Sequence, residues 1–314
     1  VRLPLTLPPP EAKPFDIVTL GLNSVDLVAR VAEYPARNSK QKLQQLAQLP
    51  GGQMATAAAV CARLGWRARY IGAFGDDEFA AFGRRSLTDE GVDVSAAWNV
   101  PGATSQFAVV LVDGQTGDRT VLWHRHPGIT MTAAQVPEAA VTSGRVVLVD
   151  CHETAAASAA ARFAQAAKIP TVVDVEKMRD GIDELLRHID VILAAEQFPS
   201  ALTGYDEPGR ALAAMAKEYR APLVAVTLGA EGSLAWCDGR EIRTPAFPVA
   251  CIDSTGAGDA FHGGFVAGWL RSPDGEVADL MAYANAVAAL NCRGLGARGG
   301  MPTQSEVEGV LRTR

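Results

Sequence analysis

The chain is short of several things, and each shortage narrows its role. Cysteine is sparse: Cys61, Cys151, Cys237, Cys251 and Cys292 are scattered through 314 residues with no CxxC pair. That spacing indicates neither a zinc site nor a disulfide framework, and reduced thiols in a cytoplasm fit it best. Positive charge is also lacking, with 29 Lys and Arg against 35 Asp and Glu and a net charge of −6. That balance argues against binding to a nucleic-acid phosphate backbone as the main role. No apolar run reaches the length of a membrane span, so no membrane partner is expected. Residues 1–14 are proline-rich and lack the charged, apolar, small-residue order of a signal peptide. They read as a loose lead-in. No G-x-x-x-x-G-K-[ST] string and no G-x-S-x-G elbow occurs, which speaks against a Walker-type nucleotide loop and an α/β-hydrolase.

What is present is enough to fill a core. Hydrophobic residues make up 48%, and the length suits one large α/β domain or a domain with a lid. Short apolar strands at 15–20, 145–150, 170–174 and 191–194 alternate with a helix at 155–168. That order predicts a doubly wound, mainly parallel sheet flanked by helices. Asp150, Asp174 and Glu196 fall at carboxyl ends of strands, where active sites of such folds collect. Two hairpins, over 27–49 and 104–124, predict a small four-stranded lid with an exposed face. The second turns through residues 113–118.

Gly21-Leu-Asn-Ser-Val-Asp26 follows the first strand. Asp26 is either a turn residue or a ligand for substrate hydroxyls. Gly51-Gly52 opens an alanine-rich helix that Gly65 closes; paired glycines there make a tight turn or let a ligand approach the backbone. Arg125 ends the second hairpin, either as a solvated arginine or as a clamp for an anionic group. Asn285 lies in an apolar helix over 278–292, as a core hydrogen-bonder or facing a ligand. Gly294 to Gly299 matches GxGxxG but follows a helix, so it fails the context that a dinucleotide site needs.

The most informative stretch is D-S-T-G-A-G-D-A-F-H-G-G-F, from Asp253 to Phe265. A glycine turn opening a helix offers unpaired N–H groups at the positive end of the helix dipole, a site for phosphate. Asp259 in the first turn reads two ways. It is either a charge that complements the dipole or a general base beside a bound phosphate.

This string resembles the second signature of the PfkB, ribokinase-like, carbohydrate kinases, D-T-T-G-A-G-D-x-F. The Gly51-to-Gly65 stretch resembles their first signature, with Thr56 where asparagine is usual. The resemblance spans residues 15–312, with lid segments at about 26–49 and 104–125. It implies a ribokinase-like α/β fold with a β-sheet lid. It implies an ATP-dependent sugar kinase, a phosphotransferase with an alcohol acceptor. In that reading Asp259 is the base, and the backbone of Gly256, Ala257 and Gly258 is the anion hole. Asp26, Gly52, Gln53, Thr56 and Arg125 meet the sugar. Thr227, Gly229 and Gly232, in a V-T-x-G-x-x-G-like segment, meet the nucleotide with Asn285. Mg²⁺ is expected through Glu196 by way of water, because the family's N-x-x-E motif is replaced here by Ala195 and Phe198. K⁺ is a further expectation, at Asp253 and Thr255. The resemblance also implies a homodimer formed through the lid. It lies closest to the ketose-kinase branch, so the expected acceptor is a primary hydroxyl of a ketose or an anionic sugar derivative. A nucleoside kinase is the alternative enzyme and would need an aromatic platform for the base. A sugar-binding regulatory module is the alternative outside catalysis, and the intact Asp259 weighs against it.

Overall fold

The computed structural model describes residues 1–115 and 119–312. The tip of the second expected hairpin, Thr116 to Asp118, lies outside the described residues.

Eight strands form the main sheet in the order Arg240–Thr244, Ser233–Cys237, Leu223–Thr227, Val191–Ala194, Thr171–Val175, Val146–Asp150, Ile17–Leu20, Ala68–Ile71. Six are parallel, and Ser233–Cys237 and Arg240–Thr244 add an antiparallel edge. The central strands are runs of Val, Ile and Leu buried on both faces, as a parallel sheet covered by helices requires. One core layer holds the helices Gln53–Arg63, Ala257–Arg271 and Val277–Asn291. The other holds Thr154–Ala166 and Pro208–Tyr219.

From Ile17–Leu20 the chain goes to the edge strand Ala68–Ile71, then returns to Val146–Asp150 on the opposite side. The connections diverge there and leave a crevice beyond the strand ends. The Ala257–Arg271 helix lies against two others with little room. A Cβ at Gly263 would sit 2.8 Å from Ala57 O, and one at Gly264 would sit 2.8 Å from Val287 Cβ. The Gly-Gly pair after the signature is thus a packing requirement.

A separate four-stranded sheet has the order Gln45–Gly51, Ser24–Val31, Phe107–Asp113, Arg119–His124. Its two middle strands are parallel and its outer pairings antiparallel. Val28, Ala108, Val110 and Val112 are buried on its inner side, while Leu46, Val121, Leu122 and Trp123 are exposed.

One expectation needs correction. The proline-rich lead-in is not loose: Leu3 and Leu7 are buried in the core, and Val277 N donates to Val1 O at 2.8 Å. Apolar residues spaced through the prolines pin it. Phe198, which replaces the expected metal-side glutamate, is 1% exposed and fills the core. Among the described residues no helix is long and apolar enough to cross a membrane.

Candidate active site

The crevice is floored by carboxylates at strand ends. Asp150 ends its strand and accepts from Leu22 N at 2.6 Å and His152 N at 2.9 Å. These bonds hold the turn after the first strand against the sheet. Burial nevertheless pushes the Asp150 carboxyl above its ordinary range. In the same turn Asn23 donates to Tyr70 Oη at 2.7 Å and to Ala73 O at 2.9 Å. Asp26 follows on the small sheet, 7% exposed, with Ser24 Oγ donating to it at 3.0 Å. Burial raises its pKa, while the Ser24 bond and the Arg298 charge oppose the rise. A protein-buried carboxylate with spare lone pairs is a ready acceptor for hydroxyls.

The signature turn is built by Asp253 and Gly256. Asp253 Oδ1 accepts from Thr255 N at 2.9 Å and Thr255 Oγ1 at 2.7 Å, and its Oδ2 accepts from Gly296 N at 2.8 Å. Asp253 therefore ties this turn to the Gly294–Gly299 loop. Gly256 caps the helix in the left-handed region, φ 72°, and its Cβ would meet Ala297 O at 2.4 Å. Only glycine meets both conditions. Asp259 stands in the first helical turn, half-buried. Withdrawal from water, then the Asp174 charge, push its pKa up to about 7, with His262 opposing. That is the range a general base needs near neutral pH.

The residues expected at the sugar take varied positions. Gly52 caps the Gln53–Arg63 helix with φ 91°. Gln53 Nε2 donates to Asp174 Oδ2 at 3.1 Å, and its Oε1 is buried without a partner among the described residues. Thr56 is fully buried and accepts from Arg298 Nε at 3.2 Å. Arg125 donates from Nε to Ile129 O at 2.8 Å and pairs through its guanidinium with Glu153. Its charge is thus already matched by a carboxylate.

Two residues of this site were not expected from the sequence. Arg298 binds Gly51 O at 3.1 Å, Thr56 Oγ1 at 3.2 Å and Ser86 Oγ at 3.2 Å. Burial lowers its pKa to about 10. His262, 4% exposed, places Nδ1 3.1 Å from Asp174 Oδ2. Its only sequence signal is its spacing, three residues after Asp259 on one helix face. Arg298 carries no such signal.

Beside the signature lies a cavity of about 610 Å³, lined among others by Thr227, Gly229, Gly232, Asn285, Ala257 and Gly258. All four residues expected at the nucleotide are there. Asn285 Nδ2 donates to Thr244 O and Pro245 O, both at 3.1 Å. This fixes the cavity wall and leaves the amide oxygen as its remaining polar atom. Arg119 of the small sheet reaches the same turn, donating to Ser254 Oγ at 2.7 Å. Glu196 is exposed just beyond its strand and does not line the cavity. Among the described residues no group of three or more His, Cys, Asp or Glu could hold a metal. Mg²⁺ needs few protein ligands when phosphates and water supply the rest, so the residues present suit it only in that manner.

The sequence model of the pfkB family of carbohydrate kinases matches residues 15–304. An ATP-dependent ribose-1-phosphate kinase of Halopiger xanaduensis is 29% identical over 302 residues, 95% of this chain and 98% of that protein. A fructokinase of Klebsiella pneumoniae is 28% identical over 288 residues, 85% of this chain and 93% of that one. The structure of an Arabidopsis thaliana ribokinase complexed with ribose and ATP superposes with a TM-score of 0.81 at 25% identity, covering 95% of this chain and 99% of that chain.

Proposed function

The chain belongs to the pfkB family of carbohydrate kinases, and from that premise we propose that it moves the γ-phosphoryl group of ATP to a primary hydroxyl of a neutral sugar, with Asp259 as the base. One observation carries the reading. Asp259 sits in the first turn of a glycine-capped helix whose Ala257 and Gly258 line the nucleotide-sized cavity. The hydroxyl-binding candidate Asp26 lies near enough to influence its charge.

The steps follow from these residues. Asp26, Gly52 and Gln53 orient the sugar, and Thr56 acts indirectly by holding Arg298. Asp259 accepts the proton of the acceptor hydroxyl as its oxygen bonds to the γ-phosphorus and the bond to ADP breaks. The backbone of Gly256, Ala257 and Gly258 and the helix dipole stabilise charge on the transferred group. Thr227, Gly229, Gly232 and Asn285 hold the nucleotide. Mg²⁺, carried by phosphates and water with Glu196 as outer carboxylate, supplies charge neutralisation when bound. K⁺ at the turn of Asp253 and Thr255 belongs to the same proposal. The small sheet acts as a lid that excludes water. Exposed apolar side chains on both of its sides, Val121 and Trp123 in register with the buried Val110 and Ala108, and Leu46 and Leu122 on the opposite side, support a homodimer formed through the lid.

The charge of the site favours a neutral acceptor. Asp26, Asp150, Asp174 and Asp259 gather near the strand ends and outnumber the nearby Arg298 and His262, and Arg125 is paired with Glu153. Carboxylates accept from sugar hydroxyls and repel phosphate or sulfonate. A ketose is therefore preferred over an anionic sugar derivative. ADP release with MgATP would be followed against ketoses, aldoses, sugar phosphates, sulfofructose and nucleosides, with and without K⁺. Turnover on a neutral sugar is the expected result. Selective turnover of a sugar phosphate or sulfosugar would reverse the charge argument. Sugar binding by calorimetry without turnover would leave a regulatory module.

A further inference from the structure

We infer that His262 is a positioning residue for Asp259: held by Asp174, its imidazolium supplies the positive charge that keeps the neighbouring Asp259 carboxylate ionised and aimed at the acceptor hydroxyl. This rests on the kinase reading of Asp259.

The two side chains lie three residues apart on the Ala257–Arg271 helix, so they share a face. His262 Nδ1 is 3.1 Å from Asp174 Oδ2, and the same oxygen accepts from Gln53 Nε2 at 3.1 Å. Among the described residues neither ring nitrogen makes an aligned hydrogen bond, and both are sealed from solvent. Stranding a ring nitrogen there costs about 2 kcal/mol or more in either charge state, so the Asp174 carboxylate beside Nδ1 decides between them. An imidazolium against a carboxylate gains attraction that does not depend on alignment.

The surrounding charges point the same way. Asp174 faces the ring from the central sheet, with Glu176 just beyond it, and Asp259 faces it from its own helix. Asp26 adds its charge from the small sheet, and Arg298 adds the opposite charge from the C-terminal loop. From the packed Gln53–Arg63 helix come Gln53 and the Cys61 thiol, which burial keeps protonated and which donates to Gly263 O at 3.2 Å. Glu176 is met by Arg179 at 3.7 Å and Lys177 at 3.9 Å, which leaves Asp174, Asp259 and Asp26 beside His262 and Arg298. Burial opposes charge on the imidazole, but Asp174 and Asp259 outweigh it and raise its pKa. Without His262, Asp259 would face the charges of Asp174, Glu176 and Asp26 with less compensation, and ionising it would become harder.

The test is the pH profile of kcat/KM for the wild type and His262→Gln with the sugar that turns over best. Glutamine keeps the volume and loses the charge. The acid limb should move up by about one unit or more. The rate should fall about tenfold at neutral pH and recover above the new limb, while KM for ATP changes little. An unmoved limb with a lowered plateau would make His262 a packing residue and overturn the inference. A second readout needs neither turnover nor the variant. Imidazole ¹⁵N shifts of the wild-type protein should show His262 protonated at pH 7.5, and neutral in Asp174→Asn. A neutral His262 in the wild type would overturn the inference. Should no sugar turn over, the kinase reading falls, and the ¹⁵N shifts still decide the charge of His262.

Discussion

Arg298 donates from Nε to Thr56 Oγ1 at 3.2 Å across 242 residues of sequence. Threonine stands where the family pattern has asparagine, and its hydroxyl is the acceptor for this guanidinium. The same group also holds Gly51 O, the last residue of a small-sheet strand, and Ser86 Oγ. One side chain thereby joins the small sheet, the Gln53–Arg63 helix and the C-terminal loop.

Arg298→Met should therefore raise the sugar KM about tenfold and leave the ATP KM within about twofold. Three bonds to neutral oxygens are lost, each worth about 1–3 kcal/mol where a charged group is involved. Arg298→Lys should restore little, because an ammonium cannot reproduce the guanidinium's planar fork. Steady-state kinetics with both substrates varied would check this. An equal rise in both KM values would point to general unfolding instead.

Asp259→Asn should lose turnover by about 10²–10⁴ and keep nucleotide binding by calorimetry. It should also change stability with a definite sign. The folded pKa of about 7 lies above the ordinary value. Between the two the folded protein holds a proton that the unfolded chain has released, so wild-type stability falls as pH rises through that window. Asparagine has no such dependence. Melting curves at pH 5 and 8 should show the variant's advantage growing with pH, and a constant difference would refute the raised pKa.

The wild-type rate should fall as pH drops through about 7, because Asp259 must be unprotonated to accept the hydroxyl proton. Stopped assays from pH 5.5 to 8.5 at saturating ATP would show the limb. A rate flat through that range would remove Asp259 from the role of base.

Gly256 and Gly258 should respond differently to alanine. A Cβ at Gly256 meets Ala297 O at 2.4 Å in a left-handed backbone, so Gly256→Ala should destabilise the protein and lose turnover together. A Cβ at Gly258 meets nothing within 4 Å, and helical alanine is favoured over glycine by about 1 kcal/mol. Gly258→Ala should fold at least as well, yet its methyl would sit at the cavity where phosphate approaches. Thermal melts alongside ATP affinity would separate the two. Unchanged ATP affinity in Gly258→Ala would place the phosphate elsewhere.

The Asp253-to-Phe265 string and the strand alternation were legible because their chemistry is local. A glycine turn, a helix start and a carboxylate one turn in lie within a few residues, and period and turn chemistry report them directly. Strands of Val, Ile and Leu buried on both faces announce a parallel sheet for the same reason. Residues 1–14 misled because proline content says nothing about whether Leu3 and Leu7 find a core.

The sequence by itself determined the glycine turn with a carboxylate in the first turn of its helix, the alternation that makes the sheet, and the two strand pairs beside it. Tertiary structure alone decided that Arg298 meets Gly51 and Thr56, that His262 faces Asp174, and that Arg125 is spent on Glu153. Those pairs join different elements, and their partners are chosen by how helices seat on the sheet. A charged side chain shows its type in a sequence, but its partner depends on distance and burial, which exist only once the chain has packed.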